Sequence, residues 1–318
     1  MALRTLDLAP PPARPDERPP RGGPLQLFVT SLVIVVPFLG ALAAITGLVG
    51  ARIAWFDLGL LVAGYFVTVL GVTAGYHRLF THRSYVANRP LKIVLAVLGS
   101  CALQGSLVDW VTTHRLHHRH SDRPGDPHSP VSPAPRNQWT GLLHAHVGWL
   151  FRVPAPARRR DAADLLIDRD LRVVSGLFPL FAELTLAVPF AAGWLVAGTL
   201  SGALTALLWG GLVRIFLAHH LTWSINSVCH TFGKQPFRTT DQSRNVAALS
   251  VLSLGESWHN AHHAFPALAR HGVDRGQVDV TAACIKLWER LGLVHSVHWP
   301  DVTMLALRRM PAPVAVDT

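Results

Sequence analysis

Four long apolar runs restrict the fold of this 318-residue chain more than any other feature of its sequence. They cover residues 27–50, 53–75, 174–197 and 200–218, and none contains more than one charged side chain. At 1.5 Å per residue, a helix of this length can cross a hydrocarbon core of about 30 Å. Because lipid cannot bond backbone polar groups, such runs must be helical. We therefore predict an all-α integral membrane protein with four transmembrane helices in two hairpins.

Apart from Arg214, the basic residues lie outside these runs and predict the orientation of the protein. The net charge is +10, yet the turn of the first hairpin holds only Arg52 and the turn of the second holds no basic residue. By the positive-inside rule, both termini and all polar segments outside these turns face the cytoplasm. Such a charge is also typical of nucleic-acid binding, but its position beside apolar runs favours anionic lipid, and no nucleic-acid partner is predicted.

The remaining segments predict one domain with a tail at each end. Residues 1–26 are rich in Pro and Arg and are predicted to be a disordered cytoplasmic tail. Residues 27–300 form the domain. Its polar segments include an interfacial or re-entrant helix at 90–108 and an amphipathic helix at 278–291. Residues 301–318 are predicted to be a C-terminal tail. The three cysteines form no CxxC pair, which disfavours disulfides and thiolate metal sites.

Three histidine clusters lie next to the apolar runs or in the polar segments. In HRLHHRHSD, the spacing of His114, His117 and His118 places three imidazoles on one face of a helix. The HNAHH motif at 259–263 repeats this spacing. In HRLFTH, at 77–82, the two histidines are five residues apart and would point about 140° apart on an ideal helix. They can converge only if the helix ends or bends between them.

The three clusters supply eight imidazoles, which predicts a site for two metal ions. A zinc ion takes about four ligands, so eight are too many for one zinc. Imidazole suits Zn, Fe, Cu and Ni alike. The lack of thiolates and of an HExxH motif favours iron that activates dioxygen over a zinc protease. Because the clusters lie at the membrane surface, a lipid chain or an acyl thioester is the expected substrate.

The motifs HRLFTH, HRLHHRHSD and HNAHH resemble the three histidine boxes of the membrane-bound fatty-acid desaturase family. The likeness is greatest to the acyl-CoA Δ9 (stearoyl-CoA) branch. Four flanking motifs strengthen it: GDPH at 125–128, HVGW at 146–149, NSVCHTFG at 226–233 and GESWHNAHHAFP at 255–266. The resemblance extends from about residue 25 to about residue 300. It implies four membrane-spanning helices under a helical cytoplasmic cap that holds a diiron centre.

The resemblance also implies the ligand set of that centre. The matching positions for iron ligands are His77, His82, His114, His117, His118, His230, His259, His262 and His263. Asn226 would hold one iron through a water molecule. His230 belongs to no cluster, and only its NSVCH context identifies it.

The implied activity is an O2-dependent desaturation that places a cis double bond, at Δ9, in a saturated acyl chain, with acyl-CoA as the expected substrate. The family residues at the kink of the substrate tunnel match Gln104, Trp110 and Thr222. Arg115 and Arg152 are candidates for the phosphates of coenzyme A. The family's basic pair after HVGW is replaced here by Leu-Phe-Arg-Val-Pro, so acyl carrier protein and phospholipid stay open as carriers.

A separate electron donor is expected, because no cytochrome b5-like HPGG motif follows the last histidine box. A ferredoxin or a ferredoxin-type reductase would supply two electrons, and an Arg-rich surface could dock an acidic partner. The excess of Arg over Lys indicates a bacterial cell membrane as the location.

Two other functions fit parts of the sequence. A lipid hydroxylase, a carotenoid ketolase or an alkane monooxygenase would use the same histidine boxes. A non-enzymatic metal-binding or transport protein is less favoured, because transport sites are expected near the midplane of the bilayer, whereas these histidines lie outside the apolar runs.

Overall fold

The computed structural model describes residues 22–46, 53–132, 135–152 and 159–311. Within these ranges the chain is mostly helical, and its only sheet is a two-stranded antiparallel pair. Of the tail predicted at 1–26, residues 1–21 lie outside the described ranges, as does Arg52.

The first hairpin consists of α1 (Pro24–Thr46) and α2 (Trp55–Leu70). A π-helix, Gly71–Thr81, continues α2 without a break, so the second span reaches six residues beyond the predicted end and carries the first histidine cluster. The amide of His82 donates to the carbonyl of His77 in the i→i+5 pattern of a π-helix. The helix ends at Thr81, directly before His82, which is one of the two alternatives that we predicted, and its last turns are π-helical.

The second hairpin consists of α8 (Phe178–Ala197) and a long helical segment that starts with α9 (Leu200–Ala206). A π-helical turn, Leu207–Val213, joins α9 to α10 (Arg214–Ser227), and a 3₁₀ turn ends this segment at His230. The fourth span therefore extends well beyond the predicted end at 218. The first residues of the predicted third run, 174–177, instead close the preceding cap helix.

Four helices of the described chain are long and apolar enough to cross a membrane, which confirms the predicted all-α membrane fold. Inside the bundle, the charged side chain of Arg214 connects three of the spans by hydrogen bonds. Arg214 is buried and donates to the side chains of Thr68 and Thr185 and to the carbonyl of Gly210. A buried cation in a membrane protein is stable only with such partners.

The cap between the hairpins begins with α3 (Arg89–Ser100), which the side chain of Asn88 caps and which packs against the π-helix. The second histidine cluster lies on α4 (Leu107–His120). Three further helices complete this part of the cap: α5 (Gln138–His146), α6 (Ala163–Ile167) and α7 (Arg169–Gly176).

The cap continues after the fourth span with α11 (His259–Ala264), which carries the third histidine cluster. The predicted amphipathic helix is α12 (Val280–Arg290), and its N-terminus is capped by Asp279. Strand β1 (Val86–Ala87) pairs with β2 (Val294–His295) and ties the two parts of the cap together.

The segment predicted as a C-terminal tail contains a helix, α13 (Val302–Arg308). Leu305 of this helix is buried against Phe237 and Leu268 of the cap. The side chain of Asp301 accepts from two amides of its first turn. The buried Leu305 and the N-terminal capping by Asp301 stabilise this helix, which is too short for its apolar residues to show a clear helical period in the sequence.

Candidate metal centre

The structure brings all nine predicted histidines together in two adjoining clusters. The first cluster consists of His77, His82, His114, His118 and His262. The second cluster consists of His117, His230, His259 and His263. Within each cluster, one ring nitrogen of every member lies within 4.8 Å of those of the others. This juxtaposition is what a two-metal site requires, and the ligand roles stay a prediction.

The HxxHH spacing divides each helix between the two clusters. On α4, His114 and His118 belong to the first cluster, and His117 is turned toward the second. On α11 the division is reversed: His262 belongs to the first cluster, and the histidines before and after it belong to the second. The Nε2 atoms of His118 and His262 are 2.9 Å apart, so the two helices meet at the first cluster.

His77 and His82 reach the same cluster because the π-helix shifts residues five apart toward one side. Their ring centroids are 4.8 Å apart. His230 follows α10 in its terminal 3₁₀ turn, and its Nε2 lies 3.0 Å from Nε2 of His259. The fourth span thus contributes directly to the second cluster.

Four carboxylates, none of which we had predicted, pair with the Nδ1 atoms of four of the nine histidines. The pairs are His117 with Asp126 at 3.0 Å, His230 with Asp122 at 2.8 Å, His263 with Asp241 at 2.8 Å, and His77 with Glu256. A carboxylate that accepts an Nδ1–H leaves the Nε2 lone pair available to a metal. Three of the four lie in motifs quoted above, HRLHHRHSD, GDPH and GESWHNAHHAFP, but nothing in their spacing indicates this role.

The donor set therefore fits metal ions. Nδ1 of both His117 and His263 is bonded to a carboxylate, and their Nε2 atoms face each other at 3.4 Å. Two lone pairs at this distance repel each other unless a cation lies between them. In the described part of the chain, the buried Nε2 of His82 also has no hydrogen-bond partner. A buried polar atom left in this way needs a ligand.

Burial favours the neutral form of three of these imidazoles. Burial first, and neighbouring histidines second, lower the pKa values of His82, His118 and His262 well below the ordinary value. A neutral imidazole can coordinate a metal, whereas a protonated one cannot. Burial raises the pKa of Asp126, but its electrostatic interaction and hydrogen bond with His117 outweigh that effect, so this pKa falls below its usual range and the carboxylate stays ionised. Burial lowers the pKa of His117, but the pairing with Asp126 outweighs burial and raises this pKa above its ordinary value.

A cavity of about 420 Å³ leads to the clusters. Its wall includes Gln26 of α1, Phe178 of α8 and His114 of the first cluster. A smaller cavity of about 50 Å³ continues past Trp110 and Asn226 toward α2. The lining of the large cavity is mostly apolar, which suits a hydrocarbon chain.

The three predicted kink residues lie together where the two cavities meet. The amide of Gln104 donates to the hydroxyl of Thr222 at 2.9 Å, and the indole N–H of Trp110 donates to Gln104 at 3.3 Å. The Trp110 ring stacks on His114 of the first cluster, with ring centroids 5.0 Å apart. Asn226 lines both cavities.

The two predicted headgroup residues differ in position. Arg152 lines the large cavity. Arg115 does not, because its guanidinium donates to both carboxylate oxygens of Asp164, at 2.7 and 2.8 Å, and to the carbonyl of Phe80. A contact between Arg115 and coenzyme A stays a prediction, and the observed bonds indicate a role in joining parts of the cap.

Two buried histidines next to the clusters were also not predicted. The ring centroid of His271 lies 4.4 Å from that of His262, and that of His128 lies 4.3 Å from that of His117. Each is a lone histidine in the sequence, so no spacing pattern singles it out.

Together, the four spans and the two histidine clusters define a membrane protein with a candidate two-metal centre. Residues 52–288 match the family model described as fatty acid desaturase. The chain therefore belongs to the fatty acid desaturase family, which confirms the resemblance, and it is an oxidoreductase of lipid metabolism that acts on fatty acyl chains.

Three relatives illustrate the range of the family. The hex-5-enoyl-(acyl-carrier protein) acetylenase of Moorena producens (strain JHB) is 36% identical over 280 residues, which cover 87% of each chain. The sn-1 stearoyl-lipid 9-desaturase of Anabaena variabilis is 34% identical over 279 residues, which cover 86% of this chain and 94% of the relative. The acyl-CoA C20 Delta5-desaturase of Anemone leveillei is 35% identical over 274 residues, which cover 85% and 82%.

Asp126→Asn is expected to weaken metal binding about 10- to 100-fold, because the neutral amide no longer fixes the His117 tautomer. The measurement is metal content by inductively coupled plasma mass spectrometry across a series of free-metal concentrations. Asp274→Asn, at an exposed ion pair with Arg309, is the matched control. Equal metal affinity in the two variants would show that Asp126 does not support the site.

Proposed function

We propose that this protein introduces a cis double bond, at Δ9, into a saturated fatty acyl chain. The observation that carries the proposal is the apolar cavity lined by Gln104, Trp110 and Thr222 and by His114 of the first cluster, together with the smaller cavity that shares Trp110 and reaches His259 of the second cluster. The reaction converts one acyl chain, one O2, two electrons and two protons into one unsaturated chain and two molecules of water.

The metal that we propose is iron, with one ion in each cluster and Asn226 holding one of the two ions through a water molecule. Iron suits imidazole ligands and, when bound, supplies the activation of dioxygen. The residues of the chain do the rest. The four carboxylates orient the imidazoles, and the apolar wall of the cavity excludes bulk water. The hydrogen-bonded group of Gln104, Trp110 and Thr222 determines which methylenes lie next to the metals.

The carrier that we propose is coenzyme A, which would place Arg152 near its phosphates. Family likeness alone does not select this carrier, because the names of the three relatives cite acyl carrier protein, lipid and coenzyme A, at similar identity. Parallel assays with stearoyl-CoA, stearoyl-acyl carrier protein and stearoyl phospholipid test it. Turnover of stearoyl-CoA is expected to be at least tenfold faster than that of the other two, and the reverse order would contradict the proposal.

We further propose that the cap and both termini face the cytoplasm of a bacterial cell, where a ferredoxin or a ferredoxin-type reductase supplies the electrons. The arrangement of basic residues around the first hairpin supports this orientation.

The proposal is tested by feeding deuterium-labelled stearate to a desaturase-deficient bacterial host that expresses the chain. Gas chromatography–mass spectrometry of the fatty acids should show labelled cis-9 oleate, and a His117→Ala variant should show none. A labelled hydroxy acid in place of the alkene would indicate a hydroxylase on the same scaffold.

Thr222→Val is expected to lower the turnover rate about fivefold and to yield a mixture of double-bond positions. It removes one hydrogen bond, worth about 1 kcal/mol, that holds the Gln104 amide and through it Trp110. Thr222→Ser keeps the hydroxyl and should retain a single isomer. The isomers are separated by gas chromatography of dimethyl disulfide adducts. A single Δ9 product from Thr222→Val would show that these residues do not determine the position of the double bond.

A further inference from the structure

One face of the cap carries a concentration of exposed basic side chains, which we call the basic surface. It consists of Arg123, Lys234, Arg238, Arg308 and Arg309. Lys234 and Arg238 lie in the segment 231–245, which follows the fourth span. Backbone contacts join this segment to the end of α13: the amide of Arg238 donates to the carbonyl of Arg308, and Phe237 pairs with Arg309. Arg123 directly follows Asp122, which accepts a hydrogen bond from the segment.

The charge of the basic surface is mostly uncompensated. Arg309 pairs with Asp274, whereas Arg123, Lys234 and Arg238 have no ion pair within the described ranges. An exposed aromatic ring, Phe232, lies in the same segment, with 43% of the residue accessible. Protein interfaces commonly combine an apolar or aromatic anchor with a charged rim.

Hydrogen bonds connect this surface directly to the second histidine cluster. The exposed Gln242 donates its backbone N–H to Asp122 at 2.8 Å, and Asp122 accepts from Nδ1 of His230 at 2.8 Å. The neighbouring residue, Asp241, accepts from Nδ1 of His263 at 2.8 Å. Two short hydrogen-bonded paths therefore lead from the segment 231–245 to imidazoles of the second cluster.

The first cluster has no comparable route among the described residues. The carboxylate that bonds its His77 belongs to Glu256, which is buried and also accepts from the buried Arg78. Because electron transfer slows steeply with distance and favours bonded paths, the second cluster is the better entry point for electrons.

We propose that the basic surface is the docking site of the electron donor, an acidic one-electron carrier protein of the ferredoxin class. This inference rests on the proposed function. In each turnover, two molecules of reduced carrier are oxidised and pass their electrons through the second cluster. The acyl chain loses two hydrogens with two electrons, O2 gains all four electrons, and two protons from solvent complete two molecules of water.

The charge of the partner follows from that of the surface. Complementary charge on two proteins raises the rate constant for their association by about 10- to 1000-fold, and this effect weakens as added salt screens the charges. An acidic carrier would therefore find this face selectively, and Phe232 would contribute an apolar contact at its edge.

The test compares two double variants with the same change in charge. The first, Lys234→Glu with Arg238→Glu, reverses two unpaired charges of the basic surface. The second, Arg172→Glu with Arg290→Glu, reverses two exposed charges on α7 and α12 and serves as the control. Each protein is held in lipid nanodiscs, and binding of a reduced plant-type [2Fe–2S] ferredoxin is measured by surface plasmon resonance between 20 and 500 mM salt.

The first variant is expected to bind ferredoxin at least about tenfold more weakly than the wild type at low salt, with a difference that shrinks as salt rises. Its iron content should be unchanged, and the control should bind like the wild type. Equal binding by the first variant, or an equal loss in the control, would overturn the proposal. So would a loss of binding to anionic vesicles with ferredoxin binding unchanged, because the surface would then face lipid.

Product formation is measured separately, by mass spectrometry of fatty acids. The wild type could bind ferredoxin tightly and in a charge-dependent way but form no unsaturated product. That result would contradict the proposed desaturation and would leave the docking site supported. An unsaturated product with charge-independent binding would contradict the docking site alone.

Discussion

The desaturation rate of a His262→Asn variant is expected to be at least about 100-fold lower than that of the wild type. The first cluster of this variant is also expected to lose its metal. Loss of a residue that only supports a ligand costs about 10- to 100-fold, and loss of a ligand costs more. His262 is fully buried, and its Nε2 lies 2.9 Å from that of His118 and 3.1 Å from that of His77. Its removal therefore opens the centre of the first cluster. The measurement is labelled product per mole of protein, with the metal content of the same sample.

The matched control is His295→Asn, an exposed position on β2 outside both clusters. It should retain the metal content and the rate of the wild type. A His262→Asn protein that kept both would show that the first cluster is not a metal site.

Arg78→Met is expected to destabilise the metal-free protein by about 3–5 kcal/mol, because it leaves two buried carboxylates without their cationic partner. The Arg78 side chain is fully buried and donates to Glu256 at 2.8 Å, to Asp279 at 3.2 Å and to the carbonyl of Ala269 at 2.8 Å. Methionine fills much of the volume but leaves two carboxylates uncompensated. The measurement is the free energy of unfolding in detergent micelles, after metal has been removed by a chelator.

Arg83→Met is the control for this change, because Arg83 is largely exposed and pairs with Asp164 at the surface. Such a pair contributes about 0–1 kcal/mol. A loss in Arg78→Met no larger than in the control would mean that water, and not Arg78, compensates the two carboxylates.

Most of the membrane fold is predictable from the sequence, because length and apolarity alone determine which runs can span a bilayer. The two HxxHH motifs also predict their own geometry, since the helical period places i, i+3 and i+4 close together. What the period does not give is the division of each motif between two clusters. That division depends on where the partner helix lies, and the structure supplies it through the contact of His118 with His262.

Other features depend on contacts between distant parts of the chain. The π-helix that unites His77 and His82 has no signature in the sequence. Three of the four carboxylates lie 22 to 179 residues from the imidazole that they bond, so no local spacing reveals them. The fourth, Asp126, is close in sequence to His117 but looks like an ordinary loop residue.

The proposed function requires that the nine histidines hold two irons. The most direct measurement is iron K-edge X-ray absorption, with metal stoichiometry, on the protein purified from an iron-supplied host. We expect about two irons per chain and a first coordination shell made mainly of imidazole nitrogen, without sulfur. A single metal per chain, zinc in both clusters, or a shell dominated by carboxylate oxygen would contradict the account.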